Sequence, residues 1–193
     1  MRPIAALILA ALLAACASSP PPPPPGTQIP PRTAWIVGAD GRAIGQAQFQ
    51  DSPNGVLIQL EFPQGGLPPG WHGLHLHQRG DCSDFAVGFQ ASGGHVGMGS
   101  GVQHGLLNPR GPEAGDLPNI YAPPAGAHAA EVLAPFATLG PSTPRGAYRP
   151  ERHTLLDADG SALLIHAGPD DQMSQPIGGA GARIACVALT PLP

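Results

Sequence analysis

Residues 71–82 read Trp71-His72-Gly73-Leu74-His75-Leu76-His77-Gln78-Arg79-Gly80-Asp81-Cys82. This stretch has the pattern of an extended strand rather than of a loop. Side chains two positions apart on a strand point to the same side, about 6.6 Å apart along the backbone. The spacing of His75 and His77 therefore allows both imidazoles to bind one metal ion. Paired surface histidines are common, so the pair alone does not establish a metal site.

Further histidines and aspartates, which are common metal ligands, follow along the chain within short motifs. The motifs are Gly73-Leu74-His75-Leu76-His77, Gly93-Gly94-His95, His104 with Asp116-Leu117-Pro118-Asn119, Leu163-Leu164-Ile165-His166-Ala167 with Asp170-Asp171, and Gly181-Ala182-Arg183-Ile184-Ala185-Cys186. Together they resemble the copper/zinc superoxide dismutase family, from about residue 34 to residue 190. The chain is identified as a member of that family because five separated motifs stand in the family's order.

The composition favours an all-β fold. The chain contains 27 glycines and 26 prolines, and many short strands with Gly/Pro turns are typical of a sandwich or a closed barrel. The resemblance implies an eight-stranded Greek-key β-barrel or sandwich with long metal-binding loops. Besides the strand that carries His75, the predicted strands are Thr33–Val37, Ala43–Phe49, Val56–Phe62, Ser161–His166 and Arg183–Leu189.

The resemblance implies a copper site and a zinc site that share one histidine. Imidazole suits copper in both of its oxidation states, and the copper ligands implied by position are His75, His77, His95 and His166. His95 is expected to bridge the two metals after losing both ring protons. The zinc ligands that stand at the family's positions are His95, His104 and Asp116.

The zinc motif departs from the family at one position. Three residues before Asp116, where the family has its remaining zinc histidine, this chain has Glu113. Glutamate also binds zinc, at about 2.0–2.2 Å, so we expect a retained but altered zinc site. The alternative is a copper-only enzyme in which Glu113 turns toward solvent. His128 and His153 lie outside the zinc loop and are interpreted as ordinary surface or core histidines.

The resemblance also implies roles around the metals. Asp170 is expected to hydrogen-bond one histidine of each site, His75 and His104, and so to fix the orientation of both rings. Arg183 is expected to dock a small anion beside copper, because a guanidinium does not deprotonate. His95 is expected to take up a proton when copper is reduced, which makes Arg183 and His95 the predicted catalytic residues.

The beginning of the chain is predicted to be a targeting segment. Arg2 precedes an apolar run from Ile4 to Leu13, which is too short to span a bilayer and is typical of a signal peptide, here residues 1–15. Small residues before Cys16 resemble a bacterial lipoprotein processing site, which predicts a lipid on Cys16. Ala17 favours the outer membrane by analogy. An ordinary secretory signal with an incidental cysteine is the alternative.

The two remaining cysteines are Cys82 and Cys186. They are expected to pair in an oxidising periplasm, and the resemblance also implies a disulfide at Cys186. The bridge would close a loop of about 104 residues, which the chain-entropy model values at about 4–5 kcal/mol.

Residues 16–32 are predicted to be a lipidated, proline-rich tether that precedes a dismutase-like domain over residues 33–193. Pro20–Pro25 is an uninterrupted proline run, which favours a polyproline II segment about 19 Å long. The simplest role of this run is to hold the domain off the membrane. An SH3-type recognition segment is the alternative.

The charge pattern limits the class of partner. The formal net charge is −4, and the nine basic residues are all arginines. No basic cluster or aromatic platform indicates nucleic-acid binding. A positive field that draws an anion must come from arginine and the metals, so we expect Arg183 to supply most of the salt dependence.

The sequence therefore predicts a periplasmic, lipid-anchored superoxide dismutase that converts superoxide to oxygen and hydrogen peroxide. A copper-binding or copper-buffering lipoprotein with little catalysis is the alternative, and the departure at Glu113 keeps it open. A zinc hydrolase is disfavoured because no convincing general base stands beside an open zinc position. The sequence is compatible with both a monomer and a homodimer.

Overall fold

Ten β-strands dominate the computed structural model, which describes residues 29–141 and 152–191. The strands are β1 (Arg32–Gly38), β2 (Ala43–Ser52), β3 (Gly55–Phe62), β4 (Gly70–His77), β5 (Asp116–Ala122), β6 (His128–Ala134), β7 (Ala137–Thr138), β8 (His153–Thr154), β9 (Ser161–His166) and β10 (Arg183–Leu189). Two single-turn 3-10 helices, Phe85–Val87 and Gln90–Ser92, lie in the long connection between β4 and β5.

Eight of these strands form one antiparallel sheet that nearly closes into a barrel. Their order is β5-β4-β9-β10-β1-β2-β3-β6, and the end strands β5 and β6 lie side by side. In this order β4 and β9 lie across the barrel from β2 and β3. Strands β7 and β8 form a separate two-stranded parallel sheet. The predicted eight-stranded all-β architecture is confirmed.

Strand β3 illustrates how the sequence pattern builds the barrel. Its apolar residues at alternate positions, Val56, Ile58, Leu60 and Phe62, are buried in the core. Glu61, between two of them, is exposed. Successive side chains of a strand point to opposite faces, so a period of two places one face in the core and the other in solvent.

Strands β4 and β9 differ because both of their faces are buried, in β4 from His72 onward. Leu74 and Leu76 of β4 belong to the core inside the barrel. His75 and His77 alternate with them and therefore point outward, yet neither is exposed to solvent. The outer face of β4 and β9 is thus covered by the long connections before β5 and after β9.

A disulfide holds part of this cover in place. Cys82, in the connection after β4, is bonded to Cys186 of β10, with a Cα–Cα distance of 5.8 Å. Cys186 packs with Phe89 and Leu164 in a small apolar cluster outside the barrel. The predicted disulfide is confirmed, and it lies on the same outer face as His75.

The strands predicted from the sequence agree with the structure to within a few residues, and Ser161–His166 and Arg183–Leu189 agree at both ends. Strands β5 and β6 were not among them, and Asp116 of the zinc motif is the first residue of β5. The predicted signal peptide, Cys16 and Pro20–Pro25 lie outside the described residues. Within residues 29–141 and 152–191, no helix is long and apolar enough to cross a membrane.

Candidate metal centre

Three histidines are brought together by strand pairing on the outer face of β4 and β9. His75 and His77 are two positions apart on β4, and β4 pairs with β9 so that His75 lies beside Leu164. His166 ends β9, two positions after Leu164 and on the same face. The ligand-capable nitrogens of the three histidines lie within 4.8 Å of one another, and all three side chains are buried.

His95 reaches the same place from the long connection between β4 and β5. His77 and His95 form an isolated antiparallel bridge, and the amide of Gln78 donates to the carbonyl of Gly94 at 2.9 Å. Gly93 turns the chain into this bridge with a φ of 80°, a conformation that residues with a Cβ rarely adopt. The His95 ring then lies 4.2 Å from the His75 ring and 5.1 Å from the His77 ring, between centroids.

The outward-facing nitrogens of the three strand histidines are tied to fixed acceptors. His75 Nε2 donates to Asp170 at 2.7 Å, His77 Nδ1 to the carbonyl of Gly93 at 2.8 Å, and His166 Nδ1 to the carbonyl of Gly181 at 2.9 Å. Such partners fix the tautomer and the rotation of a metal-binding imidazole.

The other nitrogen of each ring faces the centre of the group. His75 Nδ1 and His166 Nε2 approach to 3.0 Å. Among the described residues, the buried His77 Nε2 and His95 Nε2 have no hydrogen-bond partner. Buried polar atoms are rarely left without a partner, and converging imidazole nitrogens are a donor set that suits copper. The residues present therefore fit a copper ion.

The environment keeps two of these rings neutral. Burial is the largest cause that lowers the pKa of His77 to about 2, with a contribution from the nearby His95. Burial likewise lowers the pKa of His166 to about 4, with a contribution from His75. A neutral imidazole is the form that binds a metal. These two histidines are therefore in the binding form across the physiological pH range.

A second group adjoins the first through His95. Its four buried members, whose donor atoms all lie within 4.8 Å of one another, are His95, His104, Glu113 and Asp116. His95 Nδ1 donates to Glu113 Oε2 at 2.9 Å and lies 3.1 Å from Asp116 Oδ1. His104 Nδ1 donates to the same Asp116 oxygen at 2.7 Å. Two imidazoles and two carboxylates form a donor set that fits zinc.

Glu113 points into this group rather than toward solvent. Only 4% of the residue is exposed. Its carboxylate contacts His95, and its backbone amide donates to Asp116 Oδ2 at 2.9 Å. Glu113 is therefore not turned toward solvent, as the copper-only alternative expected.

Charge is balanced within the second group. Burial opposes protonation of His95 and His104, but hydrogen bonds to the carboxylates outweigh it. The pKa of His95 is raised, and that of His104 rises to about 10. Burial raises the pKa of Asp116, but hydrogen bonds from His104 and His95 hold it below its usual range. The negative charge of the two carboxylates can therefore be neutralised either by protons on the imidazoles or by a bound divalent cation.

Asp170 connects the two groups. One oxygen accepts from His75 Nε2 at 2.7 Å and the other from His104 Nε2 at 3.1 Å. Asn119 of β5 holds the backbone of Asp170 on both sides, with its amide donating to the carbonyl at 2.8 Å and its oxygen accepting from the N–H at 2.9 Å. A Cβ on Gly178 would collide with the Asp170 carboxylate.

Sequence reasoning anticipated the position of Asp170 but not these supports. Asn119 was recognised only as part of a motif, and Gly178 was not singled out. Gly178 has a φ of 58° in a glycine-rich stretch, but nothing in the sequence shows which glycine faces Asp170.

Arg183 lies beside the first group. It is paired with His166 across β9 and β10. Its guanidinium donates to the carbonyls of Phe89 and Gly93 at 2.8 and 2.9 Å and to Ser92 Oγ at 3.1 Å. The Gly93 carbonyl also accepts from His77, so one carbonyl positions both the arginine and a histidine.

Three other histidines have no part in either group. His72 contacts the carbonyls of His166 and Pro68, and His128 stacks on Phe62 with 4.8 Å between ring centroids. His153 lies on β8. The interpretation of His128 and His153 as ordinary histidines agrees with these positions.

Comparison with known proteins identifies the family. The copper/zinc superoxide dismutase family model matches residues 43–189. A Cu-Zn superoxide dismutase of Caulobacter vibrioides is 46% identical over 154 residues, which cover 80% of this chain and 82% of the relative. One from Aquifex aeolicus is 42% identical over 154 residues, with 79% and 82% covered.

Solved structures agree. A superoxide dismutase-like protein from Bacillus subtilis superposes with a TM-score of 0.65 at 32% identity, covering 81% of this chain and 97% of that protein. The Cu/Zn superoxide dismutase from Brucella abortus gives a TM-score of 0.59 at 27% identity, covering 82% and 99%. The family, the enzyme class and the copper and zinc cofactors expected from the sequence are confirmed. The chain belongs to the copper/zinc superoxide dismutase family.

Proposed function

We propose that the chain dismutates superoxide at a copper ion bound by His75, His77, His95 and His166. The observation that carries this assignment is the convergence of unpartnered or inward-facing ring nitrogens beside a fixed guanidinium. Two superoxide anions and two protons then give one oxygen and one hydrogen peroxide. When bound, copper supplies a one-electron carrier that superoxide can both reduce and reoxidise.

The protein's residues provide binding, orientation and a proton. Arg183 attracts and holds the anion, because its charge is permanent and its position is fixed by residues 89–93. Asp170 and the carbonyls of Gly93 and Gly181 keep the histidine rings from rotating. His95 faces both groups, and its Nε2 is placed to hold a proton on the side toward the first group and to pass it to the product.

We propose that the second group is a zinc site in which Glu113 replaces the family's histidine. Support comes from its burial and from its contact with His95 at 2.9 Å. A second carboxylate makes the site more negative than a site with three histidines, which favours a divalent cation electrostatically.

We also propose that the chain is a periplasmic lipoprotein anchored through Cys16, with the outer membrane as the favoured site. The apolar run that ends in Ala14-Ala15-Cys16 supports a lipoprotein processing site. The disulfide between Cys82 and Cys186 is consistent with an oxidising compartment.

Replacing a copper ligand tests the proposed activity. We expect His77→Ala to reduce superoxide dismutation to the background rate and to lower the copper content, because it removes one of the converging nitrogens. The matched control His153→Ala changes a histidine outside both groups and should retain activity. Copper content by ICP-MS and dismutation are measured on Cu/Zn-reconstituted, dialysed protein. Full turnover by copper-loaded His77→Ala would refute the assignment, whereas copper binding without turnover by the unmodified chain would favour copper buffering.

Glu113→Gln tests the zinc proposal. The substitution keeps the shape but removes the charge, so we expect zinc affinity to fall by more than the roughly 10–100-fold that loss of an outer-shell partner costs. Glu113→His should restore zinc binding, and the exposed control Glu131→Gln should leave it unchanged. Competition with a zinc chelator gives the affinity. Unaltered zinc affinity in Glu113→Gln would show that Glu113 is not a ligand.

Arg183→Ala and Arg183→Lys separate charge from position. We expect Arg183→Ala to lower kcat/KM about 10-fold or more, and to flatten its dependence on ionic strength, because the steering charge is lost. Arg183→Lys should restore the salt dependence but only part of the rate, since lysine cannot reproduce the fixed fork. Arg42→Ala, on an exposed turn, is the control. An unchanged salt dependence in Arg183→Ala would contradict the role.

Cys16→Ser tests the anchor. We expect the unsubstituted chain to be found in the membrane fraction and to carry a lipid-sized mass increase at residue 16. The Cys16→Ser chain should lack that mass and leave the membrane fraction. Intact-mass spectrometry and fractionation measure both properties, and an unlipidated Cys16 in the mature chain would overturn the proposal.

A further inference from the structure

The outer face of the barrel carries an aromatic groove on the side away from the metal centre. The groove is open, has a volume of about 580 Å³ and is mostly apolar, and Trp35, Phe62 and Ala129 are among the residues that line it. Trp35 is 64% exposed. The strand register places Trp35 beside Gln46, Gln46 beside Glu61, and Glu61 beside Ala129. The groove therefore crosses β1, β2, β3 and β6.

A row of amides leads away from Trp35 along β2. Gln46, Gln48 and Gln50 stand at alternate positions and point outward, because Ala47 and Phe49 between them are buried in the core. Since β1 and β2 are antiparallel, the row runs from Trp35 toward the beginning of β1. Each amide offers two N–H donors and one acceptor.

The described chain begins at the far end of this row. Ile29 packs against the core and lies directly over Gly140, so the segment before it starts from a fixed point. From Ile29 to Trp35 there are six residue steps, or about 20 Å of extended chain. Pro20–Pro25 ends four residues before Ile29 and would span about 19 Å as polyproline II. If the chain reversed direction at Gly26, the proline run would be about as long as the path from Ile29 back to Trp35.

The proline run and this face also match chemically. Proline has no backbone N–H, so the run offers only carbonyl acceptors and apolar rings. The face offers an indole, on which proline rings can stack and which donates its N–H, followed by amide donors. Proline-rich segments bind aromatic-lined grooves in this manner. We propose that Pro20–Pro25 folds back over β1 and β2 of its own chain and ends on Trp35.

Docking of the tether would set the orientation of the domain, a consequence that rests on the proposed anchor at Cys16. Strands β4 and β9, which carry His75 and His166, lie across the barrel from β2 and β3. A docked tether therefore turns the Trp35 face toward the membrane and the metal centre away from it. A free tether would leave the orientation of the domain unrestricted.

Tryptophan fluorescence tests the docking without reference to metals, lipid or activity. The chain has two tryptophans, so Trp71→Phe leaves Trp35 as the sole indole. We compare this full chain with one that also has Pro20–Pro25 replaced by six serines, both in the same detergent. Acrylamide quenching of Trp35 should be roughly twofold weaker with the prolines present, because a stacked ring covers one face of the indole.

The reciprocal variant is the control. Trp35→Phe leaves Trp71, on β4, as the sole indole, and its quenching should not depend on the proline run. Equal quenching of Trp35 with prolines and with serines would overturn the proposal. A difference in Trp35 quenching that disappears when the protein is diluted would also overturn the proposal, since the proline run covering Trp35 would then belong to a second copy of the chain. Dismutation by all four metal-loaded variants confirms that they are folded and keeps failure of docking distinct from failure of the proposed function.

Discussion

From His72 onward, strand β4 must be buried on both of its faces, and the rest of the architecture depends on this constraint. Its leucines fill the barrel, whereas His75 and His77 between them point out of it. An ordinary barrel strand would leave those rings in water. The long connections around the metal centre and the disulfide from Cys82 to Cys186 cover that face and make a buried site outside the core.

Because the histidine rings are buried, each ring nitrogen needs either a hydrogen-bond partner or a metal ion. One nitrogen of His77 is tied to the carbonyl of Gly93 and one of His75 to Asp170, and the opposite nitrogens face the centre. Because an unsatisfied buried polar atom is costly, this division leaves few other stable arrangements. The site is therefore set by hydrogen bonds outside it as much as by the ligands themselves.

Asp170 and Gly93 each serve two parts of the centre. Asp170 accepts hydrogen bonds from both His75 and His104, so a rotation of one of these rings changes the hydrogen bonding of the other. The carbonyl of Gly93 accepts from both His77 and Arg183, which ties the position of the guanidinium to that of a histidine. Glu113 adds a carboxylate close to His95 in the second group, and Arg183 provides a positive charge beside His166 of the first group.

The order and spacing of the motifs determined the family, because motif residues and ligand types are properties of local sequence, and the resemblance to that family implied the eight-stranded barrel and the residues at the centre. Strands β5 and β6 were not predicted, since Pro118 interrupts the pattern of β5 and small residues interrupt that of β6. Only the tertiary structure decided that Glu113 is buried against His95 and that Asn119 and Gly178 support Asp170. The contacts of Glu113 and Asn119 join residues 18 and 51 positions apart in the chain, and the geometry of all three follows from how the loops pack over β4, which no local pattern records.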